Sequence, residues 1–339
     1  MQHSAFISII MVCYNYAHLL PHALDAIALQ KFQDYELVFV DNGCTDNSVE
    51  VLNAFRKSHP NIRIKLVTVE KNIGLSYGEN KGVDAATGKY LMFHDADDWM
   101  DYNTLECLAA AAKSNNADRV IASFRDVDEQ GRVKQIQYLG KEPIGWLYGM
   151  QQANLFRTSI YKEKHISTGT LWVDAEKTFK FSAYCHRCAF VFEPCYNYLV
   201  HLDSTSRNKT LHERFYTDSD YSFEKFMRNC IPYLPSQDNN DRIMAEYQLA
   251  RYYYSYIFQF SRDAPLNKKM EIYRILNQTM KKYLPFYLNS VSLALKDNNA
   301  TRPYAWRIAK LASTLEKMHL MKFGLIIYHI FSKFYFFRI

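Results

Sequence analysis

A chain of 339 residues is too long for one small core and suits one large domain with a smaller companion. Its 48% hydrophobic and 22% charged residues are those of a folded protein. A formal net charge of +6, dispersed along the chain, excludes the basic stripe of a nucleic-acid binder but allows an anionic nucleotide or an anionic lipid surface.

Residues 6–12 are a continuous Ile/Val-rich run, predicted to be a strand buried on both faces. A polar loop at 14–18 leads into a helix over 19–29, with Leu20, Leu24, Ile27 and Ala28 on one side. Residues 36–40 form a second buried strand that stops at Asp41-Asn42-Gly43. Thr45 or Asp46 then offers an N-cap for a helix reaching residue 57. Residues 62–69 alternate as a third strand. Asn72-Ile73-Gly74 turns into a helix of small residues that ends at Thr87-Gly88. Residues 90–93 are a fourth strand running into His94-Asp95-Ala96-Asp97-Asp98. This alternation specifies an α/β fold with a mostly parallel sheet flanked by helices. Ligands of such sheets sit at the carboxyl ends of the strands. Asp41 and the cluster 95–98 are therefore expected in one crevice.

Further on, residues 119–123 read as a strand and 124–138 as a hairpin turning at 128–131. A Gly-rich, aromatic loop follows at 143–150, then a helix at 151–163 and another at 174–183. Short strands are expected at 189–193 and 196–202. From residue 211 Gly disappears until Gly324, and helical spacing recurs at 242–260 and 268–284. The expected organisation is a catalytic domain of residues 1–208 and a C-terminal helical domain of residues 209–339. The tail, 318–339, mixes Phe323, Ile326, Ile327 and Ile330 with Lys322, Lys333 and Arg338. It suits either a membrane interface or a terminal helix packed on its own domain. No window holds the ~18 uninterrupted apolar residues of a membrane span. The 26 Tyr and 22 Phe suit sugar stacking, a membrane interface or a tyrosine-heavy core. Seven Cys and a start without a secretory signal point to a reducing cytoplasm with free thiols. Cys185, Cys188 and Cys195 suggest zinc, but one CxxC without a second pair favours buried thiols. In that compartment the sequons at Asn208, Asn277 and Asn299 carry no sugar.

Asp95-Ala96-Asp97 is a DxD arrangement after a buried strand. Two carboxylates there can share Mg²⁺ or Mn²⁺, which would neutralise a leaving diphosphate, or they can be an ordinary acidic turn. Asp41 is either a nucleoside acceptor or a turn carboxylate. No GxGxxG follows the first strand and no GxxxxGK[ST] occurs, which disfavours dinucleotide enzymes and P-loop NTPases.

Five blocks in order carry a family resemblance. They are Ile7-Ser8-Ile9-Ile10-Met11-Val12-Cys13-Tyr14-Asn15, then Glu36-Leu37-Val38-Phe39-Val40-Asp41-Asn42-Gly43-Cys44-Thr45-Asp46, then Asn72-Ile73-Gly74 through Asn80-Lys81-Gly82, then Ala86-Thr87-Gly88-Lys89-Tyr90, and Phe93-His94-Asp95-Ala96-Asp97-Asp98-Trp99. Over residues 5–207 the chain resembles the family-2 glycosyltransferases of the GT-A fold. The resemblance implies that Val12, Tyr14 and Asn15 frame the nucleotide base, with Tyr14 stacking on it. Asp41 with Asn42 would hold the uracil or ribose, near Asn72 and Asn80. Asp95 would touch ribose and metal across Ala96, and Asp97 would ligate the metal. Arg207 would add charge over the diphosphate. Trp172-Val173-Asp174-Ala175-Glu176 resembles the segment carrying the catalytic base, which places Asp174 in that role with Glu176 as the alternative. The chain departs from the family pattern at Asn42, Glu79 and Val173. These stand where an acidic residue, an Arg and a Glu are usual.

The implied reaction is an inverting transfer of a hexose or N-acetylhexosamine. The donor is a UDP-sugar, and the acceptor a saccharide or lipid-linked glycan in bacterial surface-polysaccharide assembly. The implied cofactor is Mg²⁺ or Mn²⁺. The enzyme would be cytoplasmic, peripheral on the inner face of the membrane if the tail takes the interface. The rival readings are a catalytically silent sugar- or nucleotide-binding module and a sugar nucleotidyltransferase. The latter needs a Gly-rich, basic loop after the first strand, which residues 14–18 lack.

Overall fold

The computed structural model describes residues 4–139, 150–170, 172–201, 222–236, 240–261, 264–294 and 303–331. Period-two alternation along its central strands explains the layering of the first unit. The strands are β1 (Ile7–Cys13), β2 (Tyr35–Asp41), β3 (Arg63–Thr68) and β4 (Tyr90–Phe93). Ile7, Ile9, Met11, Leu37, Phe39 and Met92 face one apolar cluster, shared with Leu20, Leu24 and Ile27 of helix α1 (Leu20–Ala28). The same cluster takes Leu52 and Phe55 of α2 (Ser48–Ser58) and Leu105 and Leu108 of α4 (Thr104–Ser114). Ile10, Val38, Leu91 and Phe93 point the other way, against Val83 of α3 (Leu75–Ala85) and Phe181 of α6 (Val173–Ser182). Burial on both faces is why β1, β2 and β4 read as unbroken apolar runs.

β1 pairs in parallel with both β2 and β4, and Cys13 lies opposite Asp41. The sheet differs from the expectation in one respect. Residues 151–163 are not one helix: Asn154–Arg157 is strand β9, and only Thr158–Glu163 is helical, as α5. β9 runs antiparallel between β4 and β6 (Arg119–Ala122). A run as short as Asn154-Leu155-Phe156 has no readable period, so tertiary pairing decided its state. The seven-stranded order is β10-β6-β9-β4-β1-β2-β3, with β10 at Cys188–Val191. A second sheet orders β5 (Trp99–Met100), β11 (Tyr196–Leu199), β7 (Phe124–Val127) and β8 (Val133–Gln137). β5, only two residues long, carried no signal in the sequence.

The described residues fall into two compact units, one up to residue 201 and one from residue 222. The second is helical: α7 (Phe223–Cys230), α8 (Asn240–Ser255), α9 (Leu266–Tyr283), α10 (Tyr287–Ala294), α11 (Pro303–Lys317) and α12 (Met321–Phe331). Its core is where much of the tyrosine goes. The Glu316 carboxylate is buried and accepts hydrogen bonds from the hydroxyls of Tyr253, Tyr254 (2.9 Å) and Tyr287 (2.5 Å), and from Asn277 Nδ2 (3.1 Å). Glu316→Ala strands these donors, and the expected loss of stability is about 3 kcal/mol or more. Urea unfolding of the full chain measures it, and an unchanged midpoint would show that the tyrosines find other acceptors.

Met321 and Leu325 of α12 are buried, and the Tyr328 hydroxyl donates to the Phe258 carbonyl. The opposite side leaves Phe323 59% exposed, with Ile326, Ile327 and Ile330 also exposed. Among the described residues no helix is long and apolar enough to cross a membrane.

Candidate active site

The loops at the carboxyl ends of β1, β2 and β3 are tied together by short polar side chains. Asn15 adopts φ 60°; its Oδ1 accepts from the Thr45 amide (2.8 Å), and its Nδ2 donates to Thr45 Oγ1 (3.1 Å). Asp46 accepts from the Ala17 amide and from the Ser48 amide, both at 3.0 Å, and so joins the first loop to the start of α2. Asp41 Oδ1 accepts from the Cys44 amide (2.9 Å) and closes the turn after β2. Asn42 Nδ2 donates to Asn72 Oδ1 (3.1 Å), while Asn42 Oδ1 accepts from the Ile73 amide (3.2 Å). A carboxylate at 42 has no proton to offer Asn72, which accounts for the amide here. Gly43 has φ +77°, and a Cβ there would lie 2.5 Å from the Lys71 carbonyl carbon, so only glycine fits. Val12 is half-buried against Gly78, and Tyr14 is 41% exposed.

Asn80 is engaged elsewhere. Its Nδ2 donates to the Thr168 carbonyl (3.0 Å) and its Oδ1 accepts from the Thr168 amide (3.3 Å). Its amide thus secures the loop before α6. Arg207, and most of the loop expected at 143–150, lie outside the described residues.

β4 delivers the acidic cluster. Ala96 is a buried spacer in the core, which turns Asp95 and Asp97 out on either side of it. Asp98 is structural: it is fully buried and accepts from the Tyr196 hydroxyl and the Leu199 amide, both at 2.8 Å. Burial, then the neighbouring Asp95 and Asp97, raises its pKa. His94 donates through Nδ1 to the Asp95 carbonyl (2.8 Å), and burial pulls its pKa down to about 4, so the ring is neutral. Asp95 Oδ2 accepts from Gln152 Nε2 (3.1 Å). Burial and then the charges of Asp97, Asp174 and Glu79 push Asp95 well above the usual carboxylate range. Asp97 Oδ2 meets His201 Nε2 at 2.8 Å.

Asp174 sits in the first turn of α6. Burial raises its pKa to about 6; Lys177 opposes the rise, Glu79 adds to it, and hydrogen bonds from the Gln152 side chain and the Gln151 amide lower it. Glu176 is differently placed. Its Oε2 accepts from the Gly169 and Thr170 amides (3.2 and 3.1 Å) and the Thr170 hydroxyl (2.6 Å), and its Oε1 pairs with Lys180 (2.7 Å). These bonds make it an anchor for the loop before its helix. Lys177, one turn beyond Asp174, is buried against Glu79 Oε2 at 2.7 Å, with its ammonium 3.3 Å from the Phe93 ring centroid. The Glu79 departure is thus a charge pair shared between α3 and α6.

Asp95 is therefore within electrostatic reach of both Asp97 and Asp174. Sequence reasoning missed His201, Gln151, Gln152 and Lys177. His201, two residues past β11, was the most accessible of them. The glutamines were hidden inside the misread helix. Among the described residues no group of three or more His, Cys, Asp or Glu stands ready to hold a metal. Cys185 and Cys188 lie with sulfurs 3.3 Å apart, and all seven cysteines are free thiols.

Residues 8–174 match the family model described as Glycosyl transferase family 2. The chain is 24% identical over 215 residues to the glycosyltransferase GlyG of Streptococcus pneumoniae, covering 58% of this chain and 71% of that protein. It is 29% identical over 188 residues to a poly(ribitol-phosphate) beta-glucosyltransferase of Bacillus spizizenii, covering 52% of this chain and 29% of that protein. It is 31% identical over 173 residues to a cholesterol galactosyltransferase of Borreliella burgdorferi, covering 50% and 47%. The chain thus spans less than half of the latter two. The crystal structure of S. aureus TarS 1–349 in complex with UDP superposes with a TM-score of 0.68 at 18% identity, covering 96% of this chain and 91% of that one. That likeness shows the fold. With the parallel strands, the acidic turn after β4 and the family match over the same residues, the first unit is a glycosyltransferase domain of family 2, built on the GT-A fold.

Proposed function

We propose that this chain transfers a hexose or N-acetylhexosamine from a UDP-sugar to a saccharide or lipid-linked acceptor, with inversion, in the assembly of a bacterial surface polymer. The observation that carries this reading is the convergence on Asp95: the charges of Asp97 and of Asp174, from segments almost 80 residues apart, both act on it, and Gln152 hydrogen-bonds both Asp95 and Asp174. The solved relatives support the donor class, since TarS structures hold UDP and UDP-GlcNAc. Relatives named for poly(ribitol-phosphate) and for cholesterol support an acceptor of the cell surface.

In this reading Asp174 takes the proton of the acceptor hydroxyl as its oxygen bonds to the anomeric carbon. The bond from that carbon to the diphosphate breaks on the opposite side, and UDP leaves with the electron pair. The loops holding Tyr14, Asp41 and Asn42 receive the nucleoside. Asp95 and Asp97 would hold Mg²⁺ or Mn²⁺ together with the diphosphate oxygens of the donor, since a hard cation needs only a few protein carboxylates there, and His201 Nε2 lies 2.8 Å from Asp97 Oδ2. A cation held there would supply positive charge to offset the negative charge developing on the departing diphosphate.

The test is UDP release by the purified chain from UDP-glucose and UDP-GlcNAc, with and without Mn²⁺, beside UDP titration. Asp97→Asn is expected to lower Mn²⁺-dependent release by about 100-fold or more. Unchanged release would remove Asp97 from the metal site, and a chain that fails to bind UDP would sink the whole reading.

The exposed apolar face of α12, with Lys322 beside it, supports a peripheral seat on an anionic membrane at its cytoplasmic side. Phe323→Asp with Ile327→Asp is expected to cut partitioning onto anionic vesicles by about tenfold or more. Equal partitioning would mean that α12 only packs on its own unit.

A further inference from the structure

Gln151 and Gln152 stand between the acidic turn after β4 and the head of α6. Both are buried, with 1% and 4% exposure. Gln152 Nε2 donates to Asp95 Oδ2 at 3.1 Å, and the same side chain hydrogen-bonds the Asp174 carboxylate. The Gln151 amide donates to Asp174 as well, and Gln151 Oε1 accepts from Lys177 Nζ. The next residue, Ala153, is fully buried with φ 52°, a left-handed backbone that a side chain disfavours. Such strain persists where the surroundings over-determine it, and it collects at working sites.

The chemistry of the amide sharpens this. Asp95 and Asp174 are like charges that repel. A primary amide has two N–H donors, one for each carboxylate, so a single side chain can hold both in fixed relation. The group is small and planar, so with its nitrogen serving these carboxylates its oxygen lies in the same enclosure. Gln152 Oε1 is buried and has no hydrogen-bond partner among the described residues. A buried acceptor left open calls for a donor. The two carboxylates accept from the nitrogen end of this side chain, whereas a hexose carries a hydroxyl donor on almost every carbon.

We infer that Gln152 is a positioning and specificity residue, whose NH₂ group fixes the Asp95 and Asp174 carboxylates relative to each other and whose Oε1 accepts a hydrogen bond from a hydroxyl of the transferred sugar. This rests on Asp174 being the base of the proposed transfer. It deepens that reading by placing sugar discrimination on the loop before β9.

The experiment uses the full chain and whichever of UDP-glucose and UDP-GlcNAc supports turnover, together with its singly deoxygenated analogues. Gln152→Met keeps the length of the side chain and removes both hydrogen-bonding ends. It is expected to lower kcat about 100-fold, with Kd for UDP held within about twofold. One deoxy donor should lose about tenfold or more in kcat/KM on the wild type. That penalty should vanish on Gln152→Met. Gln152→Asn, shorter by one carbon but still an amide, gives the same comparison should the Met variant fold poorly, and its penalty should also collapse. Equal deoxy penalties in wild type and variant, or an unchanged kcat, would overturn the inference. Asp174→Asn run alongside separates the two ideas. Full turnover by Asp174→Asn defeats the base assignment, whereas a dead Asp174→Asn with a normal Gln152→Met defeats only the role given to Gln152.

Discussion

Asp174→Asn is expected to cut kcat by about 1,000-fold while Kd for UDP stays within about twofold. The substitution is nearly isosteric and preserves an acceptor for the Gln151 amide. It removes the charge that takes up the proton and puts an N–H donor in place of one carboxylate oxygen. Removing that charge also lifts the cost of its burial, which outweighs the attraction of Lys177, so the variant should melt no lower than the wild type. A large loss of UDP affinity would instead make Asp174 a donor-site residue. The wild-type pH profile provides a second check. A base must be ionised to work, and the Asp174 pKa is raised to about 6. In the proposed role kcat/KM should therefore rise tenfold per pH unit below about 6 and level off above it. A profile already flat at pH 5 would exclude Asp174 as the titrating base.

Lys177→Met should be among the most destabilising single changes in the domain, costing about 3–5 kcal/mol. The ammonium is fully buried, pairs with Glu79, holds Gln151 and covers the Phe93 ring. Without it, Glu79 becomes a buried anion beside Asp95 and Asp174, which already repel one another. Desolvation was already borne by the pair, so the harm comes from leaving one partner alone. The double variant Glu79→Gln, Lys177→Met removes both charges and should recover most of the lost stability. Denaturant unfolding of the two single variants and the double closes the cycle. Additive losses would show that the two side chains act independently.

These expectations separate what was legible in the residue order from what was not. The runs that became β1, β2 and β4 are buried on both faces, so their apolar continuity announced them. The position of Asp95 and Asp97 followed from the strand that ends before them. Asn42 and Glu79 were also visible, but as departures. Their compensations were not, because Asn72 lies 30 residues from Asn42, and Lys177 lies 98 from Glu79. His201 reaches Asp97 across 104 residues and only by way of β11. The glutamines before β9 were lost because a four-residue strand followed by a short helix has the apolar spacing of one longer helix. The resemblance favoured Asp174 over Glu176, but the physical ground for that preference was not in the residue order. Both are carboxylates in the first turn of one helix, and only the loop at 168–170 distinguishes them by occupying Glu176.

The antiparallel strand inside the sheet, between β6 and β4, has a consequence for a chain still being synthesised. β6 joins the larger sheet only through β9 and β10, and β10 itself comes later in the chain and bonds to β6. A nascent chain ending near residue 150 can thus zip β1 to β4, but it has no way to recruit β6. Insertion of β9 is the step that joins β6 to β4. Because Gln151 and Gln152 immediately precede that strand, the same insertion delivers the amide that spans Asp95 and Asp174. An incompletely folded chain therefore lacks its bridging glutamine for as long as its sheet stays split, and half-made protein is kept from half-working.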